Sequence, residues 1–172
     1  GPSLSQSDCF PLGEVFEGSE MSINQFAKDL IERFPLGFVT TVTEDGMPSL
    51  SPKGTFFVLD DETIAFADIR SPGTMANLAH QPKTEVNFID IWLRKGVRVF
   101  GTAHAVERGT PEFGELYPKW EEAFPALADR IRAIVKISVE RVRLMTTPPY
   151  DDGATEEQMV ELYKSKFSEI YG

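Results

Sequence analysis

At 172 residues the chain has the length of one domain, and 41% hydrophobic with 26% charged residues exclude a disordered or fibrous chain. Seventeen basic against twenty-seven acidic residues give a net charge of −10, a surface that repels nucleic-acid phosphates and anionic lipid. The single cysteine, Cys9, rules out an internal disulfide and a Cys-based zinc site. No apolar run approaches the ~20 residues of a membrane span, and the start GPSLSQSDCF lacks the basic and apolar stretches of a signal peptide. A soluble cytoplasmic protein is expected, with Gly1 and Pro2 read as the scar of a cleaved tag.

Residues 1–20 carry no periodicity and read as an N-terminal extension; 21–172 read as a single domain. Ser22-Ile23-Asn24-Gln25 has the form of a capping box. Behind it Ile23, Phe26, Ala27, Leu30, Ile31 and Phe34 recur at helical spacing, until Pro35 stops the helix. Gly37 to Thr43 is β-branched and ends in the turn Glu44-Asp45-Gly46. Met47 to Leu59 reads as a strand interrupted at Ser51-Pro52-Lys53-Gly54, where proline and glycine signal an edge, a bulge or a closely approached ligand. Thr63 to Ala67 follows. Ser71-Pro72 opens a helix with Met75, Leu78 and Ala79 on its apolar face, Thr74 and Asn77 off it, and Pro82 at its end. Strands are expected at Glu85 to Ile89, Val97 to Glu107 and Ile134 to Met145. Helices are expected from Glu112 to Trp120, over Ala123 to Ile131, and after the capping box Thr155 to Gln158. Short turns between most strands exclude parallel crossovers. The fold expected is mainly β: a six-stranded antiparallel split β-barrel with peripheral helices.

The most chemical feature is the start of the Ser71 helix. First-turn N–H groups and the helix dipole favour an anion there. Arg70 precedes it, Ser71 and Thr74 add hydroxyls, and Lys53 is a candidate neighbour across the sheet. Against this stands the plain alternative that Ser71 and Pro72 only cap a helix. No dinucleotide fingerprint, phosphate-binding loop or nucleophile elbow is present. His80 and His104 have no acidic partner at metal-ligand spacing, so no metal site is expected. Trp92, Arg94 and Lys95 precede a strand and are candidates to line a pocket.

In order and spacing, several pieces resemble the pyridoxamine 5′-phosphate oxidase-like superfamily of split-barrel flavoproteins, and within it the small bacterial and fungal members. These are Gly37-Phe38-Val39-Thr40-Thr41, Ser51-Pro52-Lys53-Gly54, Ile64-Ala65-Phe66-Ala67-Asp68, Ser71-Pro72-Gly73-Thr74 with Asn77, and Val97-Arg98-Val99-Phe100-Gly101. The likeness runs from Phe26 to Arg143. It implies a homodimer with FMN at the interface. Ser51, Lys53, Gly54 and Thr55 would run along the flavin, and Phe66, Ala67 and Asp68 would contact it. Ser71, Thr74 and Asn77, with Arg70, would hold its phosphate, and Arg98 would reach it from the partner subunit. Trp92 and Tyr150 would flank the substrate.

Two departures alter the expected function. Pro72 and Gly73 replace the basic pair that follows the phosphate-loop serine in the oxidases. The C-terminal Arg/His motif that grips pyridoxal is missing, so vitamin B6 oxidation is not expected. The sequence therefore points to an FMN-dependent oxidoreductase acting on a small molecule. The alternatives are an F420-dependent reductase and a non-catalytic flavin- or ligand-binding barrel.

Overall fold

The structure is a computed structural model that describes residues 22–172. The extension assigned to 1–20, with Cys9, lies outside the described residues. Helix α1 spans Gln25–Arg33 and is capped by Asn24, whose side chain accepts from the Ala27 N–H at 2.9 Å. The cap thus falls two residues after the Ser22 expected from the sequence. Ile23 explains the shift: its N–H is bonded to the Asp61 carbonyl at 2.6 Å, which holds the chain extended until Asn24.

Seven strands follow, β1 (Gly37–Val42), β2 (Pro48–Lys53), β3 (Phe57–Asp60), β4 (Thr63–Asp68), β5 (Lys83–Asp90), β6 (Lys95–Glu107) and β7 (Ala133–Met145). All pairings are antiparallel, in the order β2-β1-β5-β6-β7-β4-β3. The count exceeds the six expected because Met47 to Leu59 divides in two. Its halves pair with β1 and β4, at opposite edges of the sheet. Only Gly54, Thr55 and Phe56 join those edges, so the sheet must curl until they approach. That is the split barrel.

Alternation along the strands sends Val39, Val86, Phe88, Val97, Val99, Ile137 and Phe66 inward. Phe56, from the joining segment, fills the centre, its ring 5.2 Å from Phe66 and 4.9 Å from Phe88. Gly37 is required there: a Cβ at this position would stand 2.5 Å from the Phe56 ring and 2.8 Å from Phe88. A second core lies outside the barrel, where α3 (Pro111–Ala123) lays Phe113 and Trp120 on Ala65, Ala67 and Ile134. Thr110 caps α3 through its hydroxyl. The helical piece expected over Ala123 to Ile131 is reduced to a 3₁₀ turn at Ala128–Arg130.

Helix α2 (Pro72–His80) packs on β1, where Asn77 Nδ2 donates to Thr41 Oγ1 at 3.0 Å and His80 Nε2 donates to the Val42 carbonyl at 2.8 Å. The chain closes with α4 (Pro148–Asp151), a turn of helix where a loop was expected, and α5 (Glu156–Tyr171). Both halves of the Thr155–Gln158 capping box form. This C-terminal region is fastened to the β5–β6 turn residue by residue. Trp92 meets Phe167 edge-on at 4.8 Å, and the Tyr150 hydroxyl donates to the Leu93 carbonyl. Arg94 lies 4.1 Å over Tyr163, and Lys95 pairs with Glu156 at 2.9 Å. Among the described residues no helix is long and apolar enough to cross a membrane.

Candidate functional site: a polar seam in the barrel

The end of β2 and the segment after it meet the start of α2, β4 and α3 along a line of polar contacts, and most of the residues singled out in the sequence stand on or beside it. Lys53 ends β2 and reaches across to donate to Ser71 Oγ at the start of α2. The neighbourhood expected between these two residues is therefore present. Thr55, buried, accepts from the Ala67 N–H of β4 at 3.0 Å, and its own carbonyl accepts from Trp120 Nε1 at 2.8 Å. Phe56 N–H is bonded to the Pro35 carbonyl. The bonds to the Ala67 and Phe56 N–H groups satisfy backbone donors that the sheet ladder leaves unpaired there.

Asp68 organises the phosphate-like end. It is 6% exposed, and its Oδ1 accepts from the Ser71 N–H at 3.1 Å. The carboxylate thus closes the turn that leads into α2, while Ser71 makes no side-chain cap bond, its oxygen facing Lys53. Burial pushes the Lys53 ammonium below the usual lysine range, and the charge of Asp68 partly offsets that. The first intrahelical bond of α2 runs from the Met75 N–H to the Ser71 carbonyl. Gly73 and Thr74 N–H groups consequently have no partner within the helix, and Pro72 has no N–H. Space beside Gly73 is open, as it is beside Gly54. Arg70 is exposed next to this helix start, and Thr74 is buried beneath it. Ser51 stands opposite Val39 on β2, on the same row of the sheet as Lys53.

Three of the residues named for the flavin are committed to packing or sheet structure. Phe66 is fully buried against Phe56. Ala67 belongs to the outer core, and Asn77 binds Thr41. Arg98 is not on the seam. It lies on the outward row of β6, opposite Asn87 and Arg143. There it donates through Nε to Glu85, its guanidinium 5.1 Å from the Phe100 ring. That hydrogen bond holds the Glu85 carboxyl below its usual range and raises Arg98. Glu85 and Phe100 line a shallow depression of about 530 Å³ on the outer face. Trp92 and Tyr150 stand together at the β5–β6 turn, engaged with α5 and Leu93.

Sequence reasoning missed three roles. Trp120 as the donor to Thr55 and Glu85 as the holder of Arg98 act across 65 and 13 residues, whereas Asp68 accepts from Ser71 only three residues on, through a turn whose path the spacing does not show. His104 is exposed, and among the described residues no group of three or more His, Cys, Asp or Glu side chains could hold a metal.

The family model described as pyridoxamine 5′-phosphate oxidase matches residues 23–146, from α1 to the end of β7. The chain belongs to this family. Among solved structures, HupZ of Group A Streptococcus is 30% identical, with 73% of this chain and 95% of that chain covered and a TM-score of 0.63. An FMN-binding protein from Syntrophomonas wolfei is 15% identical over 71% of this chain and 85% of that chain, at a TM-score of 0.60. HutZ, the heme storage protein from Vibrio cholerae, is 18% identical over 73% and 95%, at 0.59. The last two show the shared fold alone. No curated protein matches the chain. The match ends at residue 146, so α4 and α5 lie outside the matched region.

Proposed function

We propose that this protein is an FMN-binding flavoprotein and an oxidoreductase for a small molecule, acting as a homodimer, and that it is not a pyridoxamine phosphate oxidase. The observation that carries the reading is the Lys53–Ser71 contact. It joins a half-buried ammonium to an open helix start in a chain of net charge −10.

The residues fit a phosphate monoester. Lys53 and exposed Arg70 supply two positive charges against one from Asp68, and Gly73 and Thr74 supply N–H donors at the positive end of α2. Lys53 and Ser71 would hold the phosphate, and the Ser51 to Thr55 segment would line the ring along the seam. Gly54, with nothing near its Cβ position, lets a planar group approach the backbone closely. FMN, when bound, supplies the electron-transfer chemistry, while the protein binds, orients and shields it. Arg98, steadied by Glu85 and facing outward, suits contact with a flavin held by a second copy.

The test is the visible spectrum of the purified protein, followed by titration with FMN, F420 and haem. Saturable FMN binding and reduction of the bound flavin by NADH or NADPH support the proposal. Absence of a flavin signal after FMN addition refutes it. Preference for F420 would favour the second reading, for which the outward arginines Arg98, Arg141 and Arg143 speak and the overall negative charge does not.

A further inference from the structure

Past Thr102, strand β6 has a strand neighbour on one side only. Its last pair with β5 sets Thr102 opposite Lys83, whereas its pairing with β7 continues until Glu107 stands opposite Ala133. The second half of α2 faces the free edge across a cavity of about 360 Å³. The floor of this cavity is core: Leu78 and Val135 are buried, and Met75 and Ala103 pack against the same inner cluster. Its rim is exposed at Ala79, Ala105 and Glu107. Small alanine side chains on both walls, Ala79 on α2 and Ala103 and Ala105 on β6, leave the hollow open.

The Ala103 N–H is bonded to the Pro82 carbonyl at 2.8 Å, on the side away from β7. In an antiparallel ladder the N–H and C=O of one residue point to the same side, and every second residue shares that side. Ala105 therefore also turns both groups away from β7, along the cavity wall, and neither has a partner among the described residues. The Glu107 carbonyl is taken by Thr110 at the turn that follows. Its carboxylate has neither a hydrogen bond nor an ion pair among the described residues. Arg108, next in sequence, is spent on the Ile131 and Ala128 carbonyls. His104, also on the rim, belongs to the opposite row of β6, beside Lys136.

A ligand pocket is an apolar hollow of roughly 300–1,000 Å³ with a few polar groups that fix orientation. Here the polar groups are two oxygen acceptors at the mouth, one of them charged. They call for a donor on an apolar body, and the negative charge of Glu107 selects a cation.

We infer that the groove between α2 and the free edge of β6 binds a small organic cation, a primary ammonium on an apolar or aromatic body. The body fills the hollow over Leu78 and Val135, and the ammonium meets the Glu107 carboxylate and the Ala105 carbonyl. The site is separate from the seam, which meets α2 at Ser71, and it does not rest on the flavin reading.

Calorimetric titration of the full chain with phenethylamine tests the site. Phenethyl alcohol and hydrocinnamate present a similar body with no charge or the opposite one. Saturable binding of the amine is expected, with weaker binding of the alcohol and none of the acid. E107Q should weaken the amine about three- to fivefold, as for loss of one exposed ion pair, and leave the alcohol unchanged. A105L and A79L fill the hollow from opposite walls, and each should abolish binding; thermal melts confirm folding, and either variant alone suffices. K53M should bind the amine like the wild type. No saturable binding of the amine, equal affinity for the acid, full amine affinity in E107Q, or unchanged binding in the folded filling variants overturns the inference. Weaker self-association of A105L without amine binding by the wild type also overturns it, assigning the groove to a second copy. Amine binding by a protein that takes up no FMN would keep this site and remove the flavin reading; FMN binding without amine binding would do the reverse.

Discussion

Replacing Lys53 by methionine keeps the length and apolar stem of the side chain and removes its charge. Lys53 contributes one ammonium to the seam, already partly desolvated and turned toward Ser71. A hydrogen bond to a charged group contributes ~1.5–3 kcal/mol, and partial exposure places Lys53 at the lower end, about tenfold in affinity. The loss does not stop there, because Asp68 remains at the helix start with its charge uncompensated. The expected weakening of FMN binding is therefore about ten- to thirtyfold, and the double variant K53M/D68N recovers part of it. Quenching of FMN fluorescence on titration measures this directly. The flavin-free K53M protein should melt close to the wild type, since methionine relieves a desolvated charge and suits the stem's packing. FMN binding by K53M within twofold of the wild type would refute the assignment of the phosphate to this seam.

Binding at the seam should also depend on alkaline pH. Because the Lys53 pKa is lowered, its charge, and with it FMN affinity, is lost as pH rises through that lowered value, before an ordinary lysine would titrate. In the flavin-free protein the sign is opposite: the unfolded chain binds the proton more tightly, so this group's contribution to stability grows over the same window. Affinity measured against pH should lose this alkaline limb in K53M. Thr55→Val removes the acceptor of the buried Ala67 N–H and should cost about 1–3 kcal/mol in urea denaturation, whereas Thr55→Ser should retain most of it. Gly37→Ala forces a methyl into the Phe56–Phe88–Val86 contact and should destabilise by about 1–3 kcal/mol; an unchanged denaturation midpoint would show that the barrel centre yields. On the acid side, Glu85 contributes stability that is present above the ordinary carboxylate range and lost as pH falls through its lowered value. Glu85→Gln should flatten that limb of the melting-temperature profile.

How far the sequence could be read depends on whether a feature is local. The faces of α1 and β6 and the Thr155 capping box follow from spacing within a few residues, and the structure has them. Met47 to Leu59 shows the limit. Proline and glycine marked the interruption, yet nothing local states that the two halves pair with β1 and β4. Ser22 and Asn24 are both competent caps, and the choice was made by a bond from Ile23 to Asp61, 38 residues away in the chain. At the site, chemistry brought Lys53 and Ser71 together correctly. The carboxylate's bond to Ser71 was hidden because its role depends on how the chain turns after Asp68. Trp120 and Thr55 are separated by 65 residues, beyond the reach of any periodicity.

The three-residue strap between β2 and β3 acts as a ruler. From Lys53 to Phe57 the chain can span at most about 14 Å, however the rest of the barrel moves. Thr55 and Phe56 are tied to Ala67, Trp120 and Pro35, leaving Gly54 as the slack link. If the proposed flavin site is right, this strap would select guests by their thinness rather than their breadth, and lengthening it at Gly54 should relax that limit without disturbing any strand pair.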